Sequence, residues 1–165
     1  MPFMKRHSRA YLEKYPEARG RDLAATRRAC RKFRKIPTTV INFVEGTRFT
    51  QEKHAAAAAA YKHLLPPRAG GVAFVLAAMG DILHSTLDVT IAYGLSTPTL
   101  WDLCCGRLRR VLIEVRQRAI EPWMTAGDYE SDPGFRARFQ DTLATWWAEK
   151  DDRLDMLLAE AASPG

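Results

Sequence analysis

From Asp132 to about Ala161 the chain keeps apolar side chains on one helical face. Phe135, Phe139, Leu143, Trp146 or Trp147, Leu154 and Leu157-Leu158 recur at helical spacing. Asp132-Pro133 is a start signal, an acceptor side chain followed by Pro at the first helical position. A stripe this long has to lie along something. It predicts a long amphipathic helix over about 132–161, packed on a second layer.

The segments before it supply that layer. Residues 16–35 read as a basic helix, with Pro16 and Asp22 near its start and Pro37 ending it. "TTVINFV" (38–44) is β-branched and apolar and predicts a buried strand. Residues 45–54 read as a polar turn centred on Gly46, and the six alanines 55–60 as a helical continuation or as the cover of a groove. Pro66-Pro67 forces an extended segment, and Gly70-Gly71 permits close approach or a helix entry. "VAFVLAAMGDIL" (72–83) predicts a buried helix and "LDVTIAYG" (87–94) an inner strand. "RRVLIEVRQR" (109–118) alternates and predicts a more exposed strand, with Val111, Ile113 and Val115 on one face. Together these predict one α/β domain over 1–165, a mixed sheet flanked by helices.

At 165 residues, 47% of them hydrophobic, the chain is long enough for a real core. No window approaches the run of about 20 apolar residues that a membrane-spanning helix needs. Cys30, Cys104 and Cys105 make no disulfide framework and no C-x-x-C metal motif. They are expected to be small buried hydrophobes. The net charge of +6 is uneven. Residues 1–35 hold 12 Lys and Arg against 3 Asp and Glu, and the remainder 13 against 16. A basic N-terminal part suggests an anionic partner: phospholipid headgroups, a phosphorylated substrate or nucleic acid. Nucleic acid fits worst, because no aromatics interleave with the basic residues in a stacking pattern.

The chemistry concentrates in Glu45-Gly46-Thr47-Arg48, at the end of the predicted strand. In open α/β sheets ligands bind beyond the carboxyl ends of strands. Gly46 allows a tight turn, and Arg48 offers a fork of donors suited to phosphate. Glu45 either holds Arg48 or accepts from a polyol hydroxyl. The plain alternative is a strand-ending turn with an internal Glu–Arg pair. Trp146-Trp147 reads as one core side chain and one side contact, or as an interfacial anchor. His54 and His63 have no evident carboxylate partner in the sequence.

"FVEGTRFT" (43–50) resembles the third motif of the glycerophospholipid acyltransferases, the family of 1-acylglycerol-3-phosphate O-acyltransferase. Upstream, Phe3-Met4-Lys5-Arg6 resembles the second motif. Downstream, "LLPPRAGG" (64–71) resembles the segment after the third motif, and "DVTIAY" (88–93) the fourth-motif strand. The third-motif stretch through Lys53 and "DVTIAY" are similar to a subgroup that includes bacterial inner-membrane acyltransferases, and the resemblance covers roughly residues 1–125 and also Glu149-Lys150-Asp151. Arg68 stands where the family usually has Lys, and Gly94 where it usually has Pro.

The resemblance implies transfer of a fatty acyl group from acyl-CoA or acyl carrier protein to a lysophospholipid, with no further cofactor. Arg6, Glu45, Gly46, Thr47, Arg48, Pro66 and Arg68 would form the acceptor site. It also implies an anionic membrane surface as partner, at the cytoplasmic face of the bacterial inner membrane. The family's general base comes from Asn-His, four residues, then Asp, ahead of the second motif. His84-Ser85-Thr86-Leu87-Asp88 has the wrong spacing and lies on the wrong side of the third motif. It is expected to be an ordinary helix-end stretch. The expectation is therefore an N-terminally truncated acyltransferase-like fold that keeps the acceptor half, with no catalytic and no metal-binding residue assigned. The alternative is a catalytically inactive remnant that binds lipid or a membrane surface.

Overall fold

The structure, a computed structural model, describes residues 26, 28, 30–57, 60–95 and 98–162. In chain order the elements are a 3-10 helix (Arg31–Lys35), α1 (Gln51–Ala56), α2 (Ala69–Met79), β1 (Ser85–Tyr93), α3 (Leu100–Cys104), β2 (Val111–Ala119), α4 (Pro122–Ala126) and α5 (Pro133–Ala162). Among the described residues, helices thus accompany one small antiparallel sheet, where a larger mixed sheet was expected. The described chain divides into two compact units and passes between them five times. Neither is continuous in sequence.

The first unit takes the described residues up to Val44, then Ala69–His84 and Ile120–Phe139. Residues 26, 28 and 30 are helical and lead into the 3-10 helix, which ends at extended Ile36, before Pro37. The proposed start at Pro16 and Asp22 lies outside the described residues. Cys30 packs with Ala78 and Met79 of α2, and Phe33 and Leu83 close around them. Arg34 pairs with Asp81 beside this cluster. Near α4, Trp123 and Tyr129 meet Phe139 edge-on, at centroid separations of 6.0 and 5.9 Å. Gly127 is required there, because a Cβ would run into the Phe135 ring.

Residues 38–44 do not form the buried strand. The segment lies outside any ladder, with Ile41 79% and Phe43 82% exposed. An apolar, β-branched run becomes a strand only where a neighbour pairs its amides. Among the described residues the one sheet is the β1–β2 pair, formed in the other unit.

The second unit takes Glu45–Arg68, Ser85–Ala119 and the chain from Gln140. β1 and β2 pair antiparallel, with Val89 opposite Val115, Ile91 opposite Ile113 and Tyr93 opposite Val111. Alternation sends Thr90, Ala92 and Leu112 to the other face. There Ala92 and Leu112 pack with Leu154, Leu157 and Leu158 of α5 and with Leu64. The Val89–Ile91–Ile113–Val115 face stays exposed. β1 is therefore no inner strand. Among the described residues it has one strand neighbour, and α5 covers only one of its apolar faces.

The long helix runs Pro133–Ala162, within a residue of the predicted bounds. Asp132 caps it by accepting the Phe135 amide at 3.0 Å. Phe139, Leu143, Trp147, Leu154 and Leu157 are buried, as the stripe requires. The expected polar turn 45–54 gives way to helix from Gln51, and the helical continuation into the alanines holds, among the described residues, only for Ala55 and Ala56. Thr50 caps α1 by accepting the Lys53 amide, so the helix starts at Gln51 and closes at Ala56. α2 begins at Ala69, three residues before the predicted helix, with Gly70 and Gly71 inside it, and ends at Met79. His84 is exposed and directly precedes β1, beyond the end of that helix. Cys30 is buried, whereas Cys104 and Cys105 are exposed. Their place on the β1–β2 connection gives them nothing to pack against.

Candidate functional site

Glu45, Gly46, Thr47, Arg48, Pro66 and Arg68 all belong to the second unit. Arg6 lies outside the described residues. The turn at 44–47 carries Gly46 at φ 66, a left-handed conformation in which a side chain is strained. A Cβ on Gly46 would also sit 3.1 Å from Arg68 Cδ. The missing side chain thus lets Arg68 lie across the turn. Lys53 reaches back from α1, and its Nζ donates to Thr47 Oγ1 at 2.6 Å and to the Arg48 carbonyl at 3.1 Å.

Glu45 does not hold Arg48. Its Oε1 accepts the Leu65 amide at 3.1 Å. Burial pushes its carboxyl above the usual range, against the opposing pull of that amide and of Lys150. Among the described residues no carboxylate is paired with Arg48 or Arg68, and both are exposed. Lys53 and Arg68 therefore reach the glycine turn that Arg48 directly follows, while the adjacent carboxylate is spent on the backbone. Pro66 is exposed and continues the extended segment that ends at Arg68.

α5 sets where this segment lies. Trp147 Nε1 donates to the Leu65 carbonyl at 2.8 Å. One turn later Asp151, 4% exposed, accepts the amides of Lys62, His63 and Leu64 at 2.5, 2.9 and 3.1 Å. Residues four apart share a helix face, so one face fixes four successive residues. Leu65 then fixes Glu45.

Each member of Glu149-Lys150-Asp151 has its own partner. Glu149 accepts from Arg118 at 2.9 Å. Lys150 Nζ donates to Asp88 Oδ1 and the Val89 carbonyl, both at 2.6 Å, and to Thr90 Oγ1 at 3.1 Å. Asp88 also faces Arg118 at 3.4 Å. Arg118 lies over the Trp146 ring, 5.0 Å from its centroid. Trp147 is core and Trp146 a half-buried side contact.

Sequence reasoning missed one pair. His63 Nε2 lies 2.8 Å from Asp155 Oδ1, and Lys62 Nζ lies 3.1 Å from Oδ2. These partners are separated by the whole sheet in sequence, so no local spacing announces them. His63 and Lys62 hold the Asp155 carboxyl below its usual range. His54 contacts the Tyr61 carbonyl at 2.9 Å, and its ring lies tilted against Phe49 at a centroid separation of 5.5 Å.

Among the described residues no group of His, Cys, Asp and Glu is placed to hold a metal ion. No described helix is long and apolar enough to cross a membrane. No protein-family model matches the chain, and no curated protein or solved structure matches it.

Proposed function

We propose that the Gly46 turn binds the phosphate of a lysophospholipid such as 1-acylglycerol-3-phosphate, as the acceptor site of an acyltransferase of phospholipid biosynthesis. The observation that carries this reading is that Lys53 and Arg68 reach the turn that Arg48 directly follows, while Glu45 is bonded to Leu65. A phosphomonoester there would meet exposed guanidinium groups with no competing carboxylate. Thr47 and the Gly46 backbone would lie beside the glycerol. Glu45 and Pro66 would shape the cradle without touching the phosphate. The likeness of "FVEGTRFT" to an acyltransferase motif supplies the reaction class. The donor would be acyl-CoA or acyl carrier protein. The place of action would be the cytoplasmic face of a bacterial inner membrane, on anionic lipid.

This reading assigns binding to the turn and assigns no catalytic base. An assay of acyl transfer from a long-chain acyl-CoA to lysophosphatidate tests it. Binding without turnover is the expected result for the acceptor half alone. Turnover well above background would show that the chain carries its own base. Absence of both would return the turn to a plain structural element.

A further inference from the structure

We propose that the tip of the β1–β2 hairpin, carrying Leu100, Trp101 and Leu103 with Arg107 and Arg109 behind them, docks onto an anionic phospholipid bilayer. Leu100 is 77% exposed, Trp101 68% and Leu103 56%. Scattered exposed leucines are ordinary, but three large apolar side chains on a five-residue helix are not.

α3 is held by its ends and not by its apolar residues. Thr99 and Asp102 form a reciprocal capping box, and no residue of the helix is buried. Asp102 is thereby turned back onto the Thr99 amide and hydroxyl. The helix persists while its apolar side chains stay uncovered, so they are free to enter another phase.

The chemistry favours a bilayer over a protein. Trp joins an apolar body to one polar N–H and prefers the membrane–water boundary. Arg107 and Arg109 follow within the exposed connection, and Arg109 has no carboxylate partner among the described residues. Arg107 is loosely paired with Asp102 at 3.4 Å, and Arg110 is occupied by Glu160. Basic residues beside an apolar tip complement anionic headgroups. Insertion into lipid asks for no matching shape.

The test uses the full chain and does not involve the Gly46 turn. Vesicles of phosphatidylcholine with phosphatidylglycerol are sedimented with wild type and with Leu100→Ser/Trp101→Ser/Leu103→Ser. Bound protein is expected to fall roughly tenfold or more, since each apolar side chain contributes to transfer. Arg109→Glu is expected to weaken binding to the mixed vesicles but not to phosphatidylcholine alone. Brominated lipids are expected to quench wild-type fluorescence more than that of Trp101→Phe, a readout that needs no multiple variant. The proposal is overturned if wild type fails to bind, if tip variants bind equally, or if the tip instead drives self-association without vesicle binding. Loss of lysophosphatidate binding in an Arg48 variant leaves it standing.

Discussion

Glu45 Oε1 accepts the Leu65 amide at 3.1 Å, so the carboxylate of the Glu-Gly-Thr-Arg turn faces the chain and not Arg48. Two variants separate the bond from the charge. Glu45→Gln keeps an acceptor, whereas Glu45→Ala leaves the Leu65 amide unpaired, at a cost of about 1–3 kcal/mol. Burial raises the Glu45 carboxyl above its unfolded value. The folded state therefore holds its proton more tightly, and stability falls as pH rises through that window. Urea unfolding at neutral pH should find Glu45→Gln at least as stable as wild type and Glu45→Ala weaker.

Lys150 and Asp88 are 10% and 15% exposed and lie 2.6 Å apart. Arg118 also faces Asp88, at 3.4 Å, so removing Lys150 leaves the carboxylate one cation instead of two and takes the Lys150 donor from the Val89 carbonyl and the Thr90 hydroxyl. Lys150→Met should cost about 1–3 kcal/mol in thermal or chemical unfolding. The exposed Arg110–Glu160 pair gives the contrast, and Glu160→Gln should cost below about 1 kcal/mol.

Asp151 accepts three successive amides from within the core. Asp151→Ala should destabilise by about 3 kcal/mol or more, and Asp151→Asn by less, because an amide oxygen still accepts. Since the same segment carries Leu65, Asp151→Ala should also weaken ligand binding at the turn. Calorimetric unfolding and ligand titration of the same variants check both effects.

Asp155 is held below the usual carboxylate range, first by its bond to His63 and then by Lys62. A depressed folded value contributes stability above the unfolded value, lost as pH falls through the folded one. The acid limb of the stability curve, below about pH 4, should therefore be shallower in Asp155→Asn than in wild type. Urea midpoints measured from neutral pH downward show it.

Much of the helical skeleton was legible because it depends on local pattern. The α5 stripe and its Asp132-Pro133 start depend only on periodicity and capping, and the helix appears within a residue of its predicted bounds. The short α3 was not read from the sequence, although Thr99 and Asp102 stand at the spacing of a capping box. "TTVINFV" failed because strand character is a property of pairing, and pairing is not written in the segment itself. β1 was read as an inner strand for the same reason. An apolar run states that cover is wanted on both faces, not that it is supplied. The turn at Gly46 was legible from its glycine, but the partner of Glu45 was not. Leu65 is brought there by Trp147 and Asp151, contacts that span more than 80 residues.

The measurement that bears most directly on the Gly46 turn is a calorimetric titration with a short-chain lysophosphatidate below its micelle concentration. Lysophosphatidylcholine of equal chain length serves as comparison. Wild type should bind lysophosphatidate saturably and lysophosphatidylcholine more weakly. Arg48→Ala and Arg68→Ala should each raise the dissociation constant about tenfold or more, the value of a charge-assisted bond. Equal affinity for the two lipids, or variants that bind as wild type does, would contradict the assignment of the turn as a phosphate cradle.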